Sequence, residues 1–399
     1  MACAARPRSG RSTAARNPVM TPTFRTYRRC RVIGWAASAT VMAMSQSNRS
    51  SAVSASEFDH EELHVRRGTR SGLPIAVGIH STSAGPAIGG CRIRTYADWR
   101  DGIEDVLRLS RAMTLKSAIA GLPHGGGKTV AMAPTTTWSP EDRAELIRDI
   151  ADVIVGLDGR YITGPDIGTT EADMTTLHAL TGGRAWCRPV AEGGSGSSSE
   201  ATAQGVLAAL KAAVSHALLR DSAKGLMVGV IGFGSVGRLV AQSLAREGAN
   251  VTAVDVNPHL REAAATVGVA WGAGDLLRQD FDIIVPAATG GLLTTESATQ
   301  ARCSVIVGPA NNQLAEDSVA DVLADRGITW VPDVAASAGG VIHAVCREEL
   351  GLDEQETEAR IEGIGHRVTQ ILEQASRDGV SALEAAWALA GPIAAGGPS

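Results

Sequence analysis

Apolar runs of strand length alternate with helical patterns through the second half of the chain. Residues 226–233 (LMVGVIGF) are an almost uninterrupted apolar run, and apolar residues then recur at helical spacing from Val236 to Leu244. Further strand-like runs are predicted at 250–256, 281–287, 304–308 and 328–331, with a helical segment at 318–325. This alternation predicts an α/β fold with a parallel, doubly wound sheet, whose ligands bind beyond the carboxyl ends of the strands.

The turn after the first of these strands has the sequence GFGSVG at 232–237, so that Ser235 and Val236 begin the following helix. Gly232 would make the tight turn, Gly234 would let the backbone approach a pyrophosphate, and Gly237 would let helix and strand pack closely. Asp255 ends the next strand, 18 residues after Gly237. An acid there accepts hydrogen bonds from a ribose 2′-hydroxyl and repels a 2′-phosphate, so NAD is favoured over NADP. The alternative is an apolar hairpin with incidental glycines.

Two further strand ends carry candidate contacts for cofactor and substrate. One strand ends at Pro286-Ala287-Ala288, and the next is followed by Pro309, Ala310, Asn311 and Asn312. Since the carboxyl ends of parallel strands share one edge of the sheet, these segments are expected beside the glycine turn.

Lysine is scarce in this chain and two lysines are close together. Only four of the 37 basic residues are Lys, at 116, 128, 211 and 224. Lys116 ends an amphipathic helix predicted over 103–115, and Lys128 follows the glycines at 125–127, which are expected to leave room for a substrate. A P-loop is excluded because Leu122 stands where that motif needs Gly. A buried lysine can act as a base, whereas Arg stays protonated; the alternative is two surface lysines.

A third candidate is Asp166, which follows a short predicted strand and a Gly-Pro turn. Thr170 and Asp173 just beyond it form a pattern like a capping box, typical of a helix start. An acid at a strand end that faces a cleft can exchange protons or pair with a lysine. A turn-capping role for Asp166 is the alternative.

Charge and composition exclude several classes of protein. Residues 51–399 hold 42 acids against 28 bases, which disfavours a nucleic-acid-binding body. The sequence has no apolar run of about 18 residues, so no membrane span is predicted. The six cysteines form no C-x-x-C pair, which argues against a zinc site or a disulfide framework and favours reduced thiols in the cytoplasm.

The first fifty residues differ from the rest, with nine arginines and no acid. Such a segment buries too little apolar surface to fold. We expect residues 1–56 to be a disordered extension, or an over-long start with Met42 or Met44 as the initiator. The alternative is an export signal with an apolar core at 32–43.

Six motifs in order resemble the glutamate, leucine, phenylalanine and valine dehydrogenase superfamily, over roughly residues 57–390. They are GPAIGGCR (85–92), MTLK (113–116), GGGK (125–128), PDIGTT (165–170), ANNQL (310–314) and AGGVI (338–342). The short Gly-Gly-x-Arg and Ala-Asn-Asn-Gln forms are similar to the branch acting on hydrophobic amino acids. Residues 343–348 (HAVCRE) favour phenylalanine dehydrogenase, while 121–128 are equally similar to valine dehydrogenase.

The resemblance implies reversible, NAD-dependent oxidative deamination of Phe, Leu, Val or Ile to a 2-oxo acid and ammonia. Lys116 would bind the substrate carboxylate, beside Gly89 and Gly90. Lys128 would deprotonate the α-ammonium and then activate water, and Asp166 would shuttle protons. Further implied contacts to substrate or nicotinamide are made by Asn312 with support from Asn311, by Thr202 and by Ala288.

The sequence also departs from the family pattern at two positions. Ser337 stands where an Asn usually precedes Ala-Gly-Gly, and Glu200 is unexpected at a helix start that should face the cofactor.

The resemblance also implies an architecture. We expect a catalytic α/β domain at 57–196, a Rossmann-type NAD-binding domain at 197–344 and C-terminal helices at 345–399 that pack back on the catalytic domain, with the active site in the cleft. A homo-oligomer is expected. Two rival functions stay open, a glutamate dehydrogenase and a catalytically silent NAD-binding regulatory protein.

Overall fold

The first half of the protein contains a five-stranded mixed sheet. The computed structural model describes residues 58–134 and 139–391, so the predicted N-terminal extension lies outside the described residues. The strands are β1 (Glu62–Arg67), β2 (Pro74–Ser81), β3 (Ala87–Thr95), β4 (Gly125–Ala133) and β5 (Tyr161–Pro165). Their order is β1-β2-β4-β3-β5, and the β1-β2 and β2-β4 pairs are antiparallel. β3 lies parallel to both β4 and β5, which brings the ends of these three strands to one edge.

Helices cover both faces of this sheet. They are α1 (Trp99–Ile119), α2 (Pro140–Val155) and α3 (Glu171–Thr181). Side chains alternate between the faces of a strand, so Ala76 of β2 packs with Val106 of α1, whereas Ile75 and Val77 pack with Leu146 of α2. The helix predicted at 103–115 is confirmed and begins earlier, because a capping box at Asp98 closes its first turn. The predicted capping box at Thr170 is present at the start of α3.

The glycines at 125–127 begin β4, and the expectation that they leave room for a substrate is wrong. A Cβ atom on Gly125 would lie 1.7 Å from the carbonyl oxygen of Ser81, and one on Gly126 would lie 2.0 Å from the backbone nitrogen of Thr114. A Cβ atom on Gly127 would lie 2.7 Å from the ring of Tyr161. The space beside each glycine is therefore filled by the protein itself, and the run serves close packing.

The second sheet has six parallel strands. They are β6 (Met227–Ile231), β7 (Asn250–Val254), β8 (Ala270–Trp271), β9 (Ile283–Pro286), β10 (Val305–Ile306) and β11 (Thr329–Trp330). Their order is β11-β10-β9-β6-β7-β8. The first of these strands, β6, lies in the middle of the sheet. β7 and β8 continue from it to one edge, and β9, β10 and β11 continue to the other edge, which confirms the doubly wound fold. β8, at one edge of the sheet, was not predicted.

Helices of this half lie on both faces of its sheet. They are α4 (Ser199–Leu218), α5 (Ser235–Glu247), α6 (Arg261–Thr266), α7 (Thr295–Gln300) and α8 (Val319–Asp325). Val228 and Val230 of β6 pack into one apolar core with Val240 of α5. Ile284 of β9 belongs to a second core with Leu323 of α8. Burial on both faces explains why the strands are continuous apolar runs.

The chain ends in helices that extend from the second half to the first. They are α9 (Asp333–Ala336), α10 (Gly339–Ala344), a π-helical turn (Val345–Glu349), α11 (Glu354–Asp378) and α12 (Ala382–Ala390). α11 packs along α4, where a Cβ atom on Gly205 would lie 2.7 Å from Cδ1 of Ile364. α12 contacts α1, since the Arg111 guanidinium lies 4.5 Å from the centre of the Trp387 ring. Among the described residues, no helix is long and apolar enough to cross a membrane.

Candidate active site

The strand ends of the two sheets face a common cleft. Its cavity of about 470 Å³ is lined by residues from both halves of the chain. It brings together most of the residues singled out in the sequence, namely Gly89, Gly90, Lys116, Lys128, Asp166, Thr202, Ser235, Val236 and Asn311. Residues separated by more than 200 positions therefore share one pocket.

Lys128 and Asp166 form an ion pair in the floor of this cleft. Lys128 lies in β4 and is only 6% exposed, while Asp166 follows β5. The Lys128 Nζ atom contacts Oδ2 of Asp166. A Cβ atom on Gly90 would lie 3.1 Å from Nζ of Lys128 and 2.9 Å from Cβ of Asp166. The glycine in β3 is therefore what allows this lysine and this carboxylate to meet.

Arg92 completes the network and was missed in the sequence. It is buried in β3, with one nitrogen 2.8 Å from Oδ2 of Asp105 and another 3.3 Å from Oδ2 of Asp166. Burial opposes ionisation of Asp166, but the charges of Lys128 and Arg92 outweigh it and hold the pKa of this carboxyl well below its usual range. The signal that could have indicated this role is a basic residue inside a buried strand, together with an acid on the buried face of α1.

Lys116 projects from the last turn of α1 into the same cleft. Its side chain is buried, and its Nζ atom donates a hydrogen bond to Oδ1 of Asn311, at 2.9 Å, in the second half of the chain. Desolvation and the charge of Lys128, against the opposing charges of Asp333 and Asp166, together lower the pKa of Lys116 to about 8. Lys116 is thus a titratable amine that lies between the two halves of the chain.

The structure places Asn311 and Asn312, the two asparagines of the ANNQL motif, in different cavities. Asn311 lines the cleft, whereas Asn312 lines a separate cavity of about 300 Å³. Asn312 has a left-handed backbone with φ of 52°, and its backbone N–H donates to Oδ2 of Asp333 at 2.9 Å. Burial raises the pKa of Asp333 against the charge of Lys116. Asp333, which sequence reasoning missed, therefore holds the turn that presents Asn311 to the cleft.

The three glycines of the nucleotide motif have three different surroundings. Gly232 has φ of 105°, and a Cβ atom on it would lie 2.7 Å from the backbone of Ala287 and Ala288. A Cβ atom on Gly237 would lie 2.2 Å from the carbonyl oxygen of Gly232, so helix and strand are in close contact. Gly234 has open space beside it and is the N-cap of α5. An open glycine at a helix N-terminus fits the pyrophosphate of NAD.

The remaining cofactor candidates surround this turn. The Asp255 carboxylate accepts hydrogen bonds from the backbone N–H groups of Phe233, at 2.7 Å, and Asn257, at 2.8 Å, so it also anchors the glycine turn. Thr202 lies in the first turn of α4 and lines the cleft, while Glu200 is exposed.

Ser337, one of the two departures from the family pattern, also lines the cleft. Its hydroxyl donates to the carbonyl oxygen of Asp333 at 2.6 Å.

A lysine-carboxylate pair beside a dinucleotide turn is the arrangement of a pyridine-nucleotide dehydrogenase.

Comparisons with known families identify the kind of dehydrogenase. Residues 56–181 match the family "Glu/Leu/Phe/Val dehydrogenase, dimerisation domain" and residues 258–391 match "Glutamate/Leucine/Phenylalanine/Valine dehydrogenase". Residues 202–300 match the NAD binding domain of D-isomer specific 2-hydroxyacid dehydrogenases. The chain belongs to the Glu/Leu/Phe/Val dehydrogenase family and is an NAD-dependent amino-acid dehydrogenase.

Individual relatives agree with this assignment. Leucine dehydrogenase of Bacillus subtilis (strain 168) is 39% identical over 84% of this chain and 91% of its own length. Phenylalanine dehydrogenase of Thermoactinomyces intermedius is 35% identical over 82% and 90%. The crystal structure of L-tryptophan dehydrogenase from Nostoc punctiforme superposes with a TM-score of 0.70 at 30% identity, over 85% of this chain and 96% of that one. These relatives favour the hydrophobic branch over a glutamate dehydrogenase or a silent NAD-binding protein.

Proposed function

We propose that the cleft carries out oxidative deamination of a hydrophobic L-amino acid to its 2-oxo acid and ammonia, with the roles below for individual residues. The observation that carries the proposal is the convergence of Lys116, Lys128 and Asp166 in one cavity beside the glycine turn at 232–237. NAD, held by this turn and by the start of α5, would supply the acceptor for the hydride from the substrate Cα.

Lys116 is the anchor for the substrate carboxylate. Its ammonium is buried, and within the cleft it has a neutral partner in Asn311, so a carboxylate can approach it from the open side. The backbone at Gly89 and Gly90 lines the same pocket. Apolar lining from Met113 and Val341 then suits a hydrophobic substrate side chain.

Lys128 moves protons, and Asp166 stabilises its charged form. The substrate ammonium must lose a proton before the Cα–H bond breaks, and Lys128 Nζ in its neutral form can accept that proton. Asp166 Oδ2 contacts Nζ and stays ionised, so it stabilises the ammonium that forms on Lys128. Once Lys128 Nζ has released that proton to solvent, the neutral amine can deprotonate the water that attacks Cα in the hydrolytic step.

The direct test is a spectrophotometric assay of NADH formation with each of the 20 amino acids. We expect turnover with at least one of Phe, Leu, Val and Ile, and none with glutamate. The pocket volume, not the catalytic residues, then decides which side chain is preferred. No turnover with any hydrophobic amino acid would refute the proposal.

The pKa of Lys116 predicts how carboxylate binding depends on pH. A carboxylate favours the ammonium form, so the affinity should fall above about pH 8, by about tenfold per pH unit. Lys128, Asp166 and Asp333 are the other charged groups that face Lys116. The measurement is the inhibition constant of an apolar carboxylate that lacks an amino group, such as 3-phenylpropanoate, between pH 6.5 and 10.

The variant Lys116→Arg is the matched control for this prediction. A guanidinium keeps its proton over the whole range, while Lys128 is unchanged, so the decline above pH 8 should disappear if the variant binds the inhibitor. An inhibition constant that is constant with pH in the wild type would contradict the assigned role of Lys116.

We further propose the domain boundaries 57–196, 197–344 and 345–399, a homo-oligomeric state and a cytoplasmic location. The two separate sheets and the return of α12 to α1 support the boundaries. The match of residues 56–181 to a family described as a dimerisation domain supports self-association. Light scattering coupled to gel filtration tests the oligomer, and a monomeric mass would refute it.

A further inference from the structure

One wall of the cleft is formed by Trp186 and Cys187, which we call the Trp186 wall. Both residues line the cavity. The backbone N–H of Trp186 donates to the carbonyl oxygen of Thr163 at 3.0 Å, so the wall runs beside β5 and its catalytic end at Asp166. Val341 and Ala344 of α10 line the same cavity from the second half of the chain. A substrate side chain in this pocket would therefore be confined in part by Trp186.

The backbone of this wall is in an unfavourable conformation that hydrogen bonds from another segment stabilise. Cys187 has φ of 62°, in the left-handed region that residues with a side chain rarely occupy. Its backbone N–H donates to Oε1 of Glu348 at 2.5 Å. The same oxygen accepts from the backbone N–H of Ser195, at 2.9 Å, and from its hydroxyl, at 2.6 Å. One buried carboxylate thus holds both ends of the loop from 187 to 195.

Glu348 contacts this loop from an irregular helical segment. It lies in the π-helical turn Val345–Glu349, which follows directly on α10. Its side chain is only 4% exposed, and the nearest cation is Arg188, whose Nε atom lies 3.7 Å from Oε2. π-helical turns are rare and frequently occur at functional sites. The continuous segment formed by α10 and the π-helical turn therefore contributes Val341 and Ala344 to one wall of the pocket. Through Glu348 it also anchors the Trp186 wall.

The neighbouring Glu349 supports Trp186 from a second side. Its Oε2 atom lies 2.9 Å from Nε2 of His124, which is fully buried. The His124 ring meets the Trp186 ring edge to face, with centroids 5.7 Å apart and planes at 87°. Burial lowers the pKa of His124 against the charge of Glu349, so the ring acts here as a packing surface. Trp186 is thus fixed through both its backbone neighbour and its ring.

We infer that Glu348 is a positioning residue that fixes the Trp186 wall and thereby sets which hydrophobic side chains the enzyme accepts. This inference rests on the proposed function of the cleft. Glu348 touches neither Lys128 nor Asp166, so its loss should change selectivity more than turnover. The part of Glu348 that matters is the acceptor oxygen, since three of its contacts are hydrogen bonds donated to Oε1.

The test compares Glu348→Ala with Glu348→Gln by the ratios of kcat/KM for valine, leucine and phenylalanine. An amide oxygen can still accept the three hydrogen bonds, so Glu348→Gln should keep the wild-type ratios within about twofold. Glu348→Ala should change at least one ratio by about tenfold, mainly through KM. Glu354→Ala, on a 67% exposed side chain of the next helix, is the control and should change none.

The variant Trp186→Leu keeps the test decisive if Glu348→Ala does not fold. It should change the same ratios in the same direction, and the double variant should show no further change, because both substitutions act on one wall. Unchanged ratios in Trp186→Leu or in a folded Glu348→Ala would overturn the inference, as would equal damage by Gln and Ala. Absence of turnover in the wild-type enzyme would instead refute the proposed function.

Discussion

Replacement of Lys128 by alanine should lower kcat by about a thousandfold for every amino acid that the enzyme oxidises, within the range for loss of a general base. The reason is geometric. Lys128 is buried in the cleft and touches Asp166, and within the described residues the only other lysine there is Lys116, which is assigned to the carboxylate. The measurement is the steady-state rate of NADH formation at saturating amino acid and NAD.

Two variants separate the base from other roles of this residue. Lys128→Arg keeps a positive charge beside Asp166 but cannot release a proton at neutral pH, so it should be nearly as inactive as the alanine variant. Lys211→Ala removes an exposed lysine of α4 and should be indistinguishable from wild type. Substantial activity in either Lys128 variant would contradict proton transfer through Nζ.

Much of the second sheet could be predicted because its signals are local. Each buried parallel strand is a short apolar run, and the three glycines of the nucleotide turn stand at fixed spacing between a strand and a helix. The structure gives each glycine the backbone surroundings that the motif implies, with Gly232 at φ of 105° and Gly234 open at the start of α5. Patterns of this kind lie within a few residues of one another.

The first half was harder because its decisive contacts join distant residues. The glycines at 125–127 suggest space for a substrate, yet they face Ser81, Thr114 and Tyr161. Nothing near a glycine in the sequence tells which remote atom will lie against it. At Gly90, by contrast, the absence of a side chain is important for the site, because Lys128 and Asp166 occupy the space where a side chain would lie.

The same limit applies to Asn312 and Arg92. The choice between Asn311 and Asn312 depends on the left-handed turn that Asp333 holds from 21 residues away. Arg92 ends the GPAIGGCR motif, but the motif gives no sign of its partners. Only the pairing of β3 with β5 places it beside Asp166, and only the packing of α1 places it beside Asp105.

Replacement of Arg92 by methionine should lower the free energy of unfolding by about 3 to 5 kcal/mol, since a buried ion pair loses one partner while the other stays buried. Two carboxylates lose a contact, Asp105 at 2.8 Å and Asp166 at 3.3 Å. Thermal unfolding followed by circular dichroism should show a decrease in Tm on the order of 10 °C. Asp105 keeps Arg108 and the Tyr96 hydroxyl, and Asp166 keeps Lys128, so the loss should lie at the lower end of this range.

The pH dependence of this loss tests its electrostatic origin. The pKa of Asp166 is lowered in the folded protein, so its ionised form contributes stability above the pKa of the unfolded chain and loses it as the pH falls. The Tm difference between wild type and Arg92→Met should therefore be full at pH 7 and narrow only below about pH 4, between the unfolded and the folded pKa of Asp166. Arg94→Met, the same substitution at an exposed position of β3, should change the free energy of unfolding by less than about 0.5 kcal/mol. A difference that is constant with pH would mean that Arg92 acts through packing of its side chain and not through its charge.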